Sequence, residues 1–536
     1  MSVSRRTLLA GGMAAGTGLA LAGCQTAGPG GGATSDGKAP VSMPTFVPYD
    51  GPTPDLPGDA AKGVPDGYLS YPDPPQSTGR VPVGLSKPVE LLVQGGTTPI
   101  AMDKNGWWQQ INTDLGADVN ITAIASTEYL AKFQTVVAGN SLSEITQIVT
   151  VPQMPKMLKS MFTDLTDLLS GDGVTKYPNL ANIPPSAWQV ARIDGRLWGI
   201  PQPRIVGGNV MLTRGDILEQ RGIDLVPTPA DGEAFLDLVR EVNDPKNQVF
   251  AIGQVPQDWT LPLVLEGLGA PNGWQVDGGT WTSAYERPEY ERALEIVAGM
   301  FAENLFHPNS YSDPGSSHVW FDAGTTVLLS QNFANWQAKA KTLPTPVGVV
   351  VIPKWEGGGP AAKHLGAPAY TAPVGLARTE DASRIDELLR FLDYLASPFG
   401  TAEFLHINYG VEGRQWTIKK GDIVVDPNAP DENPRGLNYA GAAIWRDIYT
   451  AGKPDVTKLI HSYCSDHLPG GVANPSLGRY SETAVTKAPA AARKLNDLQG
   501  EIIQGRAKLT EWAPAVKEWK TAAGDAMAGE YAEAAG

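Results

Sequence analysis

The chain has 536 residues, 42% of them hydrophobic and 18% charged, enough apolar material for a sizeable globular core. At ~150 residues per domain it has room for three or four domains, or two large ones. Two cysteines exclude a disulfide framework, a zinc ribbon and an iron–sulfur site, six histidines leave little for a His-rich metal centre, and a net charge of −15 argues against a nucleic-acid surface. Fourteen tryptophans, 60 glycines and 45 prolines are left to explain.

The first residues read as an address. Arg5-Arg6 precede an apolar run from Leu8 to Ala22, shorter than the ~20 residues a membrane span needs. The run closes on Leu21-Ala22-Gly23-Cys24, which is similar to a bacterial lipobox, where a lipid is attached to the cysteine and the preceding segment is removed. Residues 1–23 are therefore expected to be a signal peptide and Cys24 the lipidated residue. The arginine pair resembles a twin-arginine export signal, with Leu8 and Ala10 at positions that often hold Phe and Lys, so the Sec route stays open. From 24 to 87 the chain is dense in Gly, Pro, Ser and Thr and reads as a tether. Phe46, Tyr49, Tyr68 and Tyr71 are unusual for a free linker and point to packing of its later part on the fold.

The pattern changes at Val89. Val89–Val93 reads as a buried strand, Trp107–Leu115 as a short helix and Ile121–Ile124 as a second strand. Glu128–Ala138 places Tyr129, Leu130, Phe133, Val136 and Val137 on one helical face and ends at Gly139-Asn140; Ile145–Val149 returns to strand. Such alternation predicts an α/β layer around a parallel sheet. Thr228-Pro229-Ala230-Asp231 reads as a capped helix start followed by Phe235, Leu238, Val239 and Val242. Amphipathic helices are predicted over 288–305 and 380–397, with strands at 325–329 and 347–352 between them. The tail from Ala484 reads as mostly helical, with Trp512 and Trp519 on one face.

No GxSxG, HExxH, CxxC or phosphate-loop motif occurs. His461-x-x-Cys464-x-x-His467 has ligand-type residues, but spacing of three drifts around a helix, and a packed cysteine is the reading preferred. Asp426 to Glu432 is rich in oxygen but lacks the alternation and central glycine of an EF-hand loop, so it reads as a solvated turn. No metal and no cofactor are expected. The aromatics are more informative. A sugar ring offers apolar C–H faces and hydroxyl edges, and calls for flat aromatic platforms beside amide, carboxylate and arginine groups. Most single tryptophans are expected in the core. Gln257-Asp258-Trp259, Asn272-Gly273-Trp274, Gln331 to Trp336 and Arg414-Gln415-Trp416 stand out for their polar neighbours.

Several segments, taken in order, carry a family resemblance. These are Tyr129 to Asn140 followed by Glu144-Ile145, Asp194-Gly-Arg-Leu-Trp198-Gly199-Ile200-Pro201, Gly269-Ala-Pro271-Asn272-Gly-Trp274 and the ending Ile503 to Trp512. The most specific is Asn408-Tyr409-Gly410-Val411-Glu412-Gly413-Arg414-Gln415-Trp416, similar to a Tyr-Gly-x-Glu-Gly signature, with Trp416 where Tyr is frequent. From about Val89 onward the chain resembles an extracellular solute-binding lipoprotein of an ABC sugar importer, of the aldouronate-type group and more distantly like maltose-binding protein. The resemblance implies a two-lobed, periplasmic-binding-protein-like α/β fold with an interlobe cleft and a helical C-terminus. Lobe one is expected at 88–203 plus 366–410 and lobe two at 204–365 plus 411–536.

By the same analogy Trp107 and Trp108 line the lobe-one wall, Arg204 and Tyr370 follow the crossings, and Asn332, Asn335 and Trp336 face the cleft from lobe two. Trp259, Tyr409, Glu412 and Trp416 complete the candidates, Glu412 being equally readable as a structural ion pair. The function implied is capture of a carbohydrate, an oligosaccharide first of all, and delivery to the permease subunits of an ABC transporter. The protein would be a monomer on the extracytoplasmic face of the bacterial cell membrane, anchored by lipid alone and without catalysis. A surface enzyme acting on glycans, a binder of peptides or glycerophosphodiesters, and a purely structural lipoprotein are the alternatives.

Overall fold

The computed structural model describes residues 42–95, 99–419, 421–441 and 446–534; Cys24 and its signal lie outside them. Among the described residues no helix is long and apolar enough to cross a membrane. Two four-stranded sheets organise the chain. The first is built from β1 (Val89–Gln94), β2 (Val119–Ile124) and β3 (Ile145–Gln147), and the second from β4 (Asn209–Arg214), β5 (Phe250–Ile252), β6 (Thr326–Asn332) and β7 (Val347–Val350). The chain then returns to the first sheet as β8 (Val374–Leu376). Spatial orders are β8-β3-β1-β2 and β7-β4-β6-β5. In the first sheet β1 is parallel to both β2 and β3, and β8 is antiparallel to β3. In the second, β4 runs antiparallel to β6 and β7, and β6 is parallel to β5.

Each sheet is covered on both faces, as the period of two dictates. In β1, Leu91 and Val93 join the core under α1 (Gly106–Leu115) and α7 (Ala382–Leu395), whereas Leu92 joins the opposite cluster with Tyr129 and Phe133 of α2 (Ser126–Ala138) and Met157 and Leu158 of α3 (Met154–Met161). In the second sheet Met211 and Leu328 face Phe235 and Val239 of α4 (Gly232–Val242) and Leu294 and Val297 of α5 (Pro288–Ala302). Val210, Leu212 and Leu329 face Trp336 of α6 (Ala334–Thr342) and Ile460 and Cys464 of α9 (Pro454–His467); the short α8 (Ala402–Asn408) precedes α9 in the chain. Cys464 is fully buried there, with His461 and His467 partly exposed to either side of it. The C-terminal helices α10 (Ala488–Ile503) and α11 (Trp512–Trp519) complete the second lobe, with Trp512 stacked on Tyr290 at 5.0 Å.

Several sequence expectations shift in detail. The helix expected at Thr228 begins at Gly232, because Asp231 is the cap and accepts from Ala234 N at 2.9 Å. Strands β4, β5 and β8 were not foreseen: their apolar runs are short, and burial on two faces leaves no alternation to read. The tether expected over 24–87 packs wherever it is described. Val47 N donates to Ala181 O, Gly67–Tyr68 pairs in parallel with Ile448–Tyr449, and Tyr68 stacks on Phe399 at 4.0 Å. Val64 is buried in the second lobe and Leu85 in the first, so the segment spans both. The chain after Gly410, expected on lobe two, stays with the first lobe through Ala440, because Leu437 and Ala440 are buried in its core. The expected solvated turn at 426–432 ends on a buried Glu432 that accepts from Gln415 Nε2 at 2.8 Å and pairs with Arg414.

Two of the segments that pass between the lobes pair with one another. Arg204 N donates to Pro368 O at 2.9 Å, Tyr370 N to Gln202 O at 2.9 Å and Gly366 N to Val206 O at 2.9 Å. Gly208, at φ 60°, makes this approach feasible, since a Cβ there would lie 2.1 Å from His364 O. Beside it Lys363 and Glu266, 2% and 3% exposed, pair at 2.8 Å; Lys363 Nζ also donates to Asn209 O and Glu266 accepts from His364 N at 2.9 Å. Removing one charge of such a pair strands the other in low dielectric. Glu266→Gln is therefore expected to cost about 3–5 kcal/mol, and adding Lys363→Met to recover most of it, in urea unfolding of the single and double variants.

Candidate functional site

The two sheets present corresponding edges to the crossing strands. Gln94 and Gln147 are the last residues of the parallel strands β1 and β3, and Asn332 is the last of β6, paired with Asn209 at the start of the antiparallel β4. Ligands of open α/β sheets lie outside the carboxyl ends of such strands. A cavity of about 220 Å³ opens there, lined by Arg204, Asn209, Asn332, Phe333, Gln337 and Tyr370 among others.

Tyr370 is fixed from behind. Its hydroxyl donates to Gln94 Oε1 at 2.8 Å, Gln94 N donates to Gln147 Oε1 at 2.8 Å, and Gln147 Nε2 donates to Ala372 O at 3.1 Å. The Arg204 guanidinium lies over the Tyr370 ring, 4.6 Å from its centroid, a cation–π placement that fixes a flat donor group in the cavity wall. Burial lowers the Arg204 pKa from its ordinary value, partly offset by Tyr370 and Tyr439. The group stays cationic at neutral pH, where an arginine does not lose its proton.

A second cavity of about 210 Å³ adjoins the first. Ala334 and Gln337 line both, and the second adds Lys341, Phe399, Phe404, Tyr409, Asp447 and Tyr449. The Lys341 ammonium sits 5.2 Å from the Tyr409 centroid. Burial pushes the Asp447 carboxyl up to about 6, opposed by Arg446 and reinforced by Asp66.

Of the residues named from sequence, Arg204, Asn332 and Tyr370 meet around the first cavity and Tyr409 lines the second. Asn335 lies on the same stretch as Asn332, donating to its Oδ1 at 3.2 Å. The tryptophans go elsewhere. Trp336, expected to face the cleft, is fully buried against Phe333 and Tyr463, with Nε1 on Val347 O at 2.9 Å. Trp107, expected on the cleft wall, is buried in the first core with Nε1 on His406 O; Trp108, expected beside it, is buried with Nε1 on Val119 O at 2.9 Å. Trp416 is buried with Nε1 on Gly410 O at 2.9 Å. Trp259 is half-buried at the end of the short helix Pro256–Trp259, which packs against α5 and α10, and lines neither cavity. Glu412 is exposed on the turn before Trp416.

The common cause is periodicity. At α6 the exposed Asn332 and half-buried Asn335 stay at the cleft edge while Trp336 turns into the core. Sequence reading missed Gln337, Lys341, Asp447 and Tyr449. Gln337 lies one turn past Phe333 and Ala334, and Lys341 one turn further along the same helix, a spacing that groups them without marking what they face.

A two-lobed α/β protein with a polar and aromatic cleft at its crossing strands is a binding protein in architecture. The chain belongs to the bacterial extracellular solute-binding protein family, whose model matches residues 94–402. It is 22% identical to lipoprotein LipO of Bacillus subtilis over 458 residues, covering 79% of this chain and 88% of that one. The N-glycan transport solute binding protein NgtS of Streptococcus pneumoniae has the same fold, with a TM-score of 0.62 at 16% identity, over 84% of this chain and 98% of that one. So does the S. pneumoniae ABC-transporter substrate binding protein FusA, solved in complex with kestose, with a TM-score of 0.62 at 14% identity, over 83% and 98%.

The location of Trp336 sets its behaviour. Trp336→Ala is expected to cost about 3–5 kcal/mol of stability, as for other buried tryptophans, measured by urea unfolding. A variant as stable as the parent would return Trp336 to the cleft.

Proposed function

We propose that this solute-binding protein captures a carbohydrate in the cleft between its lobes and passes it to the permease subunits of an ABC importer. The observation that carries the reading is the Arg204–Tyr370 pair, held by Gln94 and facing Asn332 and Gln337 across the first cavity. Guanidinium and amide groups suit hydroxyl edges, and the neighbouring Phe404, Tyr409 and Tyr449 suit C–H faces. The relatives named for N-glycan transport and kestose binding support the same class. The protein acts by binding and closure, without bond chemistry. The hinge falls where 203–206 pairs with 366–369, between a first lobe of 88–203 plus 366–441 and a second of 204–365 plus 446–536. Cys24 carries the lipid, and residues 42–87 fold against both lobes.

Two experiments test this. Titration calorimetry against oligosaccharides is expected to give saturable binding with the sugar recovered intact, and Arg204→Ala to weaken it at least about tenfold, the loss of roughly one charge-assisted hydrogen bond. Turnover of the sugar would favour a glycan-acting enzyme instead. Cys24→Ser is expected to move the protein from the membrane fraction to the medium; unchanged membrane association would remove the anchor.

A further inference from the structure

The chain passes between the lobes again after Ala440. Ala440 is buried in the first core and Ile448 in the second, and between them Arg446 donates from Nη1 to Asn182 O at 2.7 Å and from Nη2 to Asn182 Oδ1 at 3.2 Å. The N-terminal segment makes the same passage beside it. Tyr49 N donates to the same Asn182 Oδ1 at 3.2 Å, and Val64 is buried in the second core with Ile448. Gly67–Tyr68 then pairs in parallel with Ile448–Tyr449, and Ile448 N donates to Asp66 O at 2.8 Å. Gly63, at φ 73°, lies against the first crossing segment as well, since a Cβ there would stand 2.8 Å from Val206 Cγ2. This stretch precedes residues 94–402, which the family model matches.

Both strands run into one aromatic cluster on the first lobe. Tyr68 stacks on Phe399 at 4.0 Å, and Tyr71 meets Tyr449 edge-on at 5.8 Å. The Tyr71 hydroxyl donates to Thr401 O at 2.7 Å and accepts from Gly400 N at 3.0 Å. Phe399, Asp447, Tyr449 and Thr450 line the second cavity, so the doubled crossing is one of its walls. A lone extended strand bends by turning a few φ/ψ angles. A hydrogen-bonded pair has to break bonds to do so and leaves backbone groups unpaired. The link is short as well: the four residues from Val64 to Tyr68 reach at most about 14 Å. Val64 in one lobe and Tyr68 in the other cannot separate further unless one leaves its cluster.

We infer that residues 49–71 brace the hinge: rooted in both lobes and paired with the crossing at 446–449, they oppose opening of the lobes and hold the wall of the second cavity. Tyr68 is a positioning residue that acts through Phe399. The inference rests on the reading that the lobes close over a ligand, and on no particular ligand. The segment between Cys24 and the fold is then a working part of the cleft, and loosening it lowers affinity for every ligand alike, because the fraction of molecules able to close falls.

The test is pulsed electron paramagnetic resonance on the full chain without ligand, carrying Cys24→Ser and spin-labelled at Lys132→Cys in the first lobe and Lys246→Cys in the second. Both positions are exposed, and Cys464 is buried. Tyr68→Ala, which removes the stack, and Val64→Asp, which takes the segment out of the second core, are expected to shift the interlobe distances to longer values with a broader spread. Tyr68→Phe, which keeps the ring, is expected to match the parent. Where Val64→Asp fails to fold, Tyr68→Ala against Tyr68→Phe decides. Calorimetry with oligosaccharides that bind the parent is expected to show Tyr68→Ala weaker by at least about threefold, with the ligands in unchanged order of affinity. Distances unmoved by Tyr68→Ala, even with a lower melting temperature, overturn the inference, as do longer distances with unchanged affinity. Binding of no sugar by the parent overturns the carbohydrate reading alone, since the distances are read without ligand.

Discussion

The architecture depends on the antiparallel pairing of two of the segments that cross between the lobes. Each lobe has a sheet covered on both faces and its own core, and Tyr480 of the second lobe packs against the first lobe's cluster around Tyr129 and Phe133. Their relation is fixed by Arg204 N on Pro368 O, Tyr370 N on Gln202 O and Gly366 N on Val206 O, and by the glycine at 208 that lets the strands approach. The same residues supply the cleft floor. Arg204 and Tyr370 stand on paired crossing strands, so their cation–π contact joins the two segments at the point where a hinge would turn. A ligand there touches hinge and wall together, which is the geometry that couples binding to closure.

Buried polar groups hold that floor in register. On the first lobe, amides at the ends of β1 and β3 pass hydrogen bonds from Gln147 to Gln94 to the Tyr370 hydroxyl. On the second, the Glu266–Lys363 pair ties the second crossing segment to Asn209 at the start of β4. A hydrophobic core tolerates small slides, but directional bonds among buried donors do not, because a slide leaves a polar group unsatisfied. A further set of contacts joins the lobes away from the hinge: Glu482 accepts from Gln153 N at 2.8 Å, and the Tyr480 hydroxyl donates to Val151 O at 3.3 Å. These bonds link the turn before α3 to a segment held on the C-terminal helices by Glu530, so they bear on how far the lobes separate.

Much of the fold was legible because amphipathic periods survive in long elements. The helices over 128–138, 288–302 and 382–395 and the strands β1 and β7 announce themselves through apolar spacing. The second sheet's central strand β4 did not, since Val210, Met211 and Leu212 form a short run buried on both faces. The site was partly legible. Arg204 and Tyr370 were named because the family resemblance implied where the chain crosses between lobes, and both line the first cavity. Gln337 and Lys341 could be placed only once α6 was known to lie between two cavities, because a polar residue on a helix surface carries no mark of what it faces. The association of 42–87 with both lobes was likewise hidden, since it depends on Tyr68 and Tyr71 meeting Phe399 and its neighbours, about 330 residues away.

The tryptophans sharpen the chemistry of the cleft. Among the described residues ten of the chain's 14 are buried, and neither cavity is lined by one. Trp107, Trp108, Trp336 and Trp416 each give the indole N–H to a backbone carbonyl, which lets a large apolar side chain sit in a core without an orphaned donor. Their sequence context of amides and glycines is the context of strand ends and helix caps, where carbonyls for such bonds are available. Phenol and phenyl rings take the cleft instead. Tyr370 and Tyr409 each carry a cation over one face, so the flat surface and the positive charge come as a unit. Such a unit grips a hydroxylated ring by its oxygens more than by its face. Cations placed over those rings offer donors to ligands that bring oxygen acceptors.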